Sequence, residues 1–249
     1  MRRRRQRGGV CSLTIVTTRT AIVTGSAQGI GRAAAEALVG SGHRVYGVDV
    51  KPQDDAGFEV VTADLSEADA CRRIVADIGA VDVLVNNAAI LVEKSVEEIT
   101  DEEFDRTIAI NLRAPFVLSV ESARGMAERG WGRIVNVSSV GARTGGISQS
   151  CAYSASKAGM VSITKNFARN YGPYGVTANA ILPGAIATPM ALGQFAKDPD
   201  LEQRVISANP LGRLGEGSEV ANVIAFLASD DAGYINGASI DVNGGWFMA

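Results

Sequence analysis

The chain has 249 residues, 46% hydrophobic and 6% aromatic, with 24 Lys and Arg against 27 Asp and Glu and a formal charge of −3. That length suits one large domain with a well-buried core, and the mild acidity leaves no electrostatic footprint for nucleic acid. No run approaches the roughly 20 apolar residues of a membrane span. Cys11, Cys71 and Cys151 are scattered and His43 stands alone, so no metal site, no disulfide framework and a cytoplasmic location are expected.

In chain order, residues 1–18 carry Arg2, Arg3, Arg4, Arg5 and Arg7 and are expected to form a disordered basic tail; an Arg-rich targeting segment is the other reading. The folded domain is expected over 19–249. Apolar, β-rich runs predict strands at 20–24, 44–49, 59–62, 82–86, 132–138, 176–182 and 239–242. Amphipathic runs between them predict helices at 29–40, 66–78, 101–129, 151–171 and 217–228. Val81-Asp82-Val83-Leu84-Val85 is nearly continuously apolar, as befits a strand buried on both faces of a parallel sheet. The alternation gives an α/β class: a single-domain Rossmann fold, a doubly wound parallel sheet of about seven strands with helices on both faces. Residues 187–215 fit this rhythm least, carry Pro189, Pro199 and Pro210, and read as a functional lid.

The first predicted strand runs into Gly25-Ser26-Ala27-Gln28-Gly29-Ile30-Gly31, a GxxxGxG turn. Glycines there permit a tight turn and close backbone approach to a pyrophosphate, and the helix start supplies free N–H groups. Asp49 closes the second strand roughly 20 residues on, where an acid can bond both hydroxyls of an adenosine ribose and repel a 2′-phosphate. Val50 follows it, and no basic residue sits in the turn, so NAD is favoured over NADP. Asp64, followed by Leu65, ends the third strand and is a candidate to meet the adenine amino group or to cap the next helix. Asn87 and Ala88 follow the fourth strand, where small side chains let a cofactor cross the sheet edge.

Tyr153 and Lys157 stand at i and i+4 on one predicted helix and share a face. Ser139 ends the fifth strand at the carboxyl edge, where open α/β sheets bind ligands. With the TGxxxGxG turn, Asn86-Asn87-Ala88-Ala89, Asn111, Ser138-Ser139, Tyr153-x-x-x-Lys157, Pro183-Gly184 and Asp241-Val242-Asn243-Gly244-Gly245 in that order, the sequence resembles the short-chain dehydrogenase/reductase family from about Thr20 onward.

The resemblance implies catalytic roles for Asn111, Ser139, Tyr153 and Lys157. Tyr153 would be the general acid/base, its phenol pKa of roughly 10 lowered by the Lys157 cation, which would also bond the nicotinamide ribose. Ser139, rather than Ser138, would bond the reacting oxygen, and Asn111 would hold a water linking Lys157 to solvent. Pro183, Gly184, Ile186 and Thr188 would line the nicotinamide. The substrate pocket is expected from Ser139, Arg143, Cys151 and Leu192 within the segments after Ala89, at 140–150 and in the lid. Arg143 either meets a polar substrate or is an exposed loop residue. Trp246 and Phe247 either reach a neighbouring subunit or pack. The expected activity is NAD-dependent oxidation of a secondary alcohol to a ketone, the substrate being a polyol, sugar or other small alcohol. A 3-oxoacyl thioester reductase and a dinucleotide sensor without turnover are the alternatives. The resemblance also implies a homotetramer.

Overall fold

A computed structural model describes residues 18–53, 57–146 and 151–248. The basic tail expected at 1–18 therefore lies outside the described residues except for Thr18, as do 147–150 of the segment expected to wall the pocket. Successive elements are β1 (Thr20–Thr24), α1 (Gly29–Gly40), β2 (Arg44–Asp49), β3 (Glu59–Thr62), α2 (Ala68–Ile78), β4 (Val83–Asn86) and α3 (Asp101–Ile108). After a π-helical turn at Ala109–Arg113 come α4 (Ala114–Arg129), β5 (Gly132–Val137), α5 (Gly141–Thr144) and α6 (Cys151–Tyr171). The chain continues through β6 (Val176–Pro183), α7 (Pro189–Phe195), α8 (Pro199–Ala208), α9 (Gly217–Leu227) and β7 (Ser239–Val242).

The seven strands form one parallel sheet in the order β3-β2-β1-β4-β5-β6-β7. Every residue of β4, β5 and β6 is buried, the polar Asn86, Arg133, Asn136, Thr177 and Asn179 among their mostly apolar residues included, whereas β3 at the edge is largely exposed. Side chains alternate across the sheet. Val23, Val85, Val135 and Ile181 pack on one side against Leu38 of α1 and Ile224 and Leu227 of α9. Ile22, Leu84 and Ile134 pack on the other against Leu118 and Met126 of α4 and Phe167 of α6. The order of winding reverses at β1, with β2 and β3 added on one side of it and β4 to β7 on the other, which opens a crevice at the carboxyl ends of β1 and β4.

Three local departures have physical causes. Residues 101–129 are not one regular helix: α3 begins with a Thr100–Glu103 capping box, but the chain widens into the π turn before Pro115. Proline lacks an N–H, and its ring crowds the carbonyl four residues back, that of Asn111; a π turn relieves that contact. The second helix starts at Ala68 rather than 66 because Asp64 Oδ1 accepts the Ser66 N–H at 2.8 Å and holds a turn. The segment 187–215 contains two short helices, each opened by a proline behind a side-chain cap, Thr188 for α7 and Asp198 for α8. Among the described residues no cluster could hold a metal, and no helix is long and apolar enough to cross a membrane.

Candidate active site

A cleft of about 840 Å³ runs along the carboxyl edge of the sheet. At one end lies the glycine turn. Gly25 and Gly29 have φ of +70° and +58°, values that L side chains rarely adopt. A Cβ on Gly31 would stand 2.1 Å from the Gly25 carbonyl oxygen and 2.4 Å from Asn87 Nδ2, so the helix can only start there without a side chain. Asn87 Nδ2 donates to the carbonyls of Thr24 and Gly25 at 2.9 and 3.2 Å, locking the turn to the end of β4. The Thr24 hydroxyl accepts the N–H groups of both Asn87 and Ala88 at 3.0 Å. Gln28 precedes α1 without a side-chain cap, so no side chain of its own satisfies the first-turn N–H groups that face the cleft.

Asp49 ends β2 beside this turn. Its carboxylate accepts the N–H of Ala27 at 3.1 Å and of Lys51 at 2.9 Å, which fixes it at the cleft wall with Val50 and Lys51. Pro183, Gly184, Ile186 and Thr188 line the middle. The Gly184 N–H donates to Val242 O at 3.0 Å, and a Cβ on Gly184 would meet Asn243, so β7 backs this wall.

Ser139, Tyr153 and Lys157 converge at the other end. Ser139 Oγ accepts the Gly141 N–H at 3.0 Å and bonds the Tyr153 hydroxyl. Lys157 is 1% exposed, donates from Nζ to Val137 O at 2.7 Å, and its Nζ lies 5.5 Å from the centre of the Tyr153 ring. Ser138 points away and donates to Lys157 O at 2.8 Å, so of the adjacent serines only Ser139 presents its hydroxyl to Tyr153.

The family model described as enoyl-(acyl carrier protein) reductase matches residues 25–247. The chain belongs to the short-chain dehydrogenase/reductase family. It is similar to an acetoacetyl-CoA reductase of Rhizobium meliloti, 40% identical over 93% of this chain and 100% of that one. A (3R)-3-hydroxyacyl-CoA dehydrogenase of Mus musculus is 36% identical over 92% of this chain and 96% of that one. Among solved structures, a 3-oxoacyl (acyl-carrier-protein) reductase from Agrobacterium tumefaciens C58 with NADP bound superposes with a TM-score of 0.84 at 30% identity, covering 91% of this chain and 93% of that one.

Within this short-chain dehydrogenase/reductase several expected site residues stand elsewhere. Arg143 points off the cleft: it pairs with Asp241 at 3.0–3.1 Å, donates to Ser239 O and lies against the Phe247 ring. Cys151 and Leu192 are likewise absent from the cleft wall, which in α7 is made by Pro189, Met190, Ala191, Gly193, Gln194 and Phe195. Asp64 serves its own turn, the Ser66 N–H holding its carboxyl below the usual range, and Leu65 is buried in the core. Asn111 is fully buried with its side chain engaged: Oδ1 accepts the Ile90 N–H and Nδ2 donates to Ile90 O, each at 2.9 Å, and to Ser156 Oγ at 3.2 Å. Of the residues it bonds, Ile90 lines the cleft.

Electrostatics also depart from expectation. Burial pushes the Tyr153 phenol up to about 12, only partly offset by the bond with Ser139, and burial pulls Lys157 down to about 7. In the protein alone, desolvation outweighs the expected help of the lysine cation. Leu201 and Val205 of α8 also line the cleft and were not foreseen. Their i, i+4 apolar spacing was the available signal.

Proposed function

We propose that this enzyme interconverts a secondary alcohol and a ketone with NAD(H), and that Tyr153 moves the proton. The observation that carries the reading is the Ser139–Tyr153–Lys157 convergence at one end of a cleft whose other end is a glycine turn beside a fixed carboxylate. The residues fit a dinucleotide. The side-chain-free surface of Gly25 and Gly29 and the uncapped start of α1 suit a pyrophosphate, and Asp49 suits the ribose hydroxyls. When bound, the nicotinamide supplies or accepts the hydride.

The chain's own residues handle the oxygen. In the reducing direction the Ser139 hydroxyl and the Tyr153 phenol donate to the ketone oxygen, and the Tyr153 proton passes to that oxygen as it becomes an alcohol. In the oxidising direction the Tyr153 oxygen takes the alcohol proton. The Lys157 ammonium favours the phenolate left behind, and a pKa near neutrality lets it give up its own proton in turn. Ser138 and Asn111 position: one holds the α6 backbone at Lys157, the other holds Ile90 at the rim.

A specific observation favours the thioester alternative over a polyol or sugar. Around the reacting end stand Ile90, Leu91, Met190, Phe195, Leu201 and Val205, a wall suited to an acyl chain beside the ketone. A 3-oxoacyl or 3-hydroxyacyl thioester is therefore the first substrate class to test. A homotetramer and a cytoplasmic location complete the reading; half-exposed Phe116 on α4 and free Cys71 and Cys151 are compatible with them.

The first experiment is fluorescence titration with NADH and NADPH. NADH binding at least about tenfold tighter is expected, because a 2′-phosphate would face the Asp49 carboxylate at a cost of at least about 1.4 kcal/mol. Tighter NADPH binding would overturn the NAD assignment. Binding without turnover of any 3-oxoacyl ester or secondary alcohol would leave a sensor.

A further inference from the structure

We infer that Glu93 is a specificity-determining residue that restricts the substrate end of the cleft to carbonyl compounds neutral near the reacting carbon. The inference rests on the reading above that this end receives the substrate. Among the described residues lining the cleft, the charged side chains fall into three places. Asp49 and Lys51 stand at the β2 end, Lys157 is buried in the floor, and Glu93 and Lys197 stand where the loop after β4 faces the lid.

Glu93 bridges that gap. Its Oε1 accepts from Nε2 of Gln194 in α7, and its Oε2 accepts from Lys197 Nζ at 3.0 Å. Burial works to raise the Glu93 carboxyl, but the bonds from Gln194 and Lys197 bring it below its ordinary value, so it is ionised at neutral pH. The pair is asymmetric: the Glu93 side chain is 26% exposed and that of Lys197 75%. The negative partner is the less hydrated one, and its field is screened less.

Among the described residues of this gap, a carboxylate entering finds no cation that is not already paired. Lys197 and the Gln194 amide are committed to Glu93, Arg143 is committed to Asp241, and the neighbouring wall of Ile90, Leu91, Met190 and Phe195 is apolar. An anionic substrate must break the Lys197 pair or sit beside a like charge in a desolvated site, whereas a neutral ketone does neither.

Ethyl acetoacetate and acetoacetate are matched probes that differ at this end chiefly in charge. Trp246 lines the cleft, and its fluorescence is to be read with oxidised NAD saturating, where no hydride is available to the ketone. The parent enzyme should bind the ester at least about tenfold tighter than the anion. Glu93→Gln, which keeps the shape and can still bond Gln194 and Lys197, should narrow that ratio at least about fivefold by improving the anion. Lys197→Met, which leaves the carboxylate unpaired, should widen it. Equal response to the two probes in the parent, including none to either, overturns the proposal. So does an unchanged ratio in Glu93→Gln, including a lid opening that weakens both probes together. Charge discrimination without reduction of the ester would sink the proposed activity and leave this inference standing.

Discussion

Individual side chains divide into those whose chemistry is used at the cleft and those whose chemistry is spent on the fold. On the proposed mechanism Tyr153 belongs to the first kind. Tyr153→Phe removes the only phenol among the described residues that line the cleft and should lower kcat by roughly 10²–10⁴-fold, while NADH affinity stays unchanged, because the ring is retained. Fluorescence titration beside steady-state kinetics separates the two, and retained turnover would remove Tyr153 from its role. Arg143 belongs to the second kind. Arg143→Met breaks a partly buried bidentate pair with Asp241 and should cost about 1 kcal/mol in denaturant unfolding, with no selective rise in KM. The sequence brought Tyr153 and Lys157 together because both sit on one helix face that follows from periodicity, and Ser139 because it lies just past the carboxyl end of a strand that does. It could not show where Arg143 turns, because its partner lies 98 residues away in β7. Nor could it show that burial moves Tyr153 and Lys157 away from the values their mutual contact favours.

Strands were readable almost to the residue because the central ones are predominantly apolar and end in polar or glycine-rich turns. The helices were less readable wherever a local bond competes with the helical one. The Asp64 turn delays α2, and Pro115 replaces a regular stretch by a π turn; a hydrophobic period cannot register one extra residue in a turn. The glycines of α1 show the same limit, since spacing identifies them but space distinguishes them. Gly31→Ala forces a Cβ against the Gly25 carbonyl, which is backbone and cannot swing aside, and should weaken NADH binding at least about tenfold. Gly40→Ala meets nothing within 4 Å on the same helix and should raise stability by up to about 1 kcal/mol. A Gly31→Ala variant with parental NADH affinity would show that the turn does not hold the cofactor.

Stability of the whole molecule should carry the mark of its buried lysine. Lys157 titrates near 7 when folded against an ordinary value of 10.5. Between those values the unfolded chain binds more protons, so stability rises with pH across that window, by a few kcal/mol at most. Tyr153 acts in the opposite sense at higher pH: its phenol stays protonated to about 12 when folded against 10.0 unfolded, so stability is lost as pH climbs through that range. Urea midpoints at about pH 7 and about pH 9 should show the rise, and Lys157→Met should flatten it. An equal slope in that variant would assign the pH dependence to other groups.

The position of β7 has a consequence for the order of events on the ribosome. Ser139, Tyr153 and Lys157 are all made well before residues 239–243, yet Pro183 and Gly184 are backed by Val242 and Asn243, and Asn209 is tied to Asn243 O at 3.3 Å. At synthesis rates of roughly 5–20 residues per second, the nascent chain carries its reactive side chains for several seconds before the wall that would seat a nicotinamide exists. Cofactor capture therefore cannot assist the early stages of folding. It seals a sheet that the polypeptide has already completed.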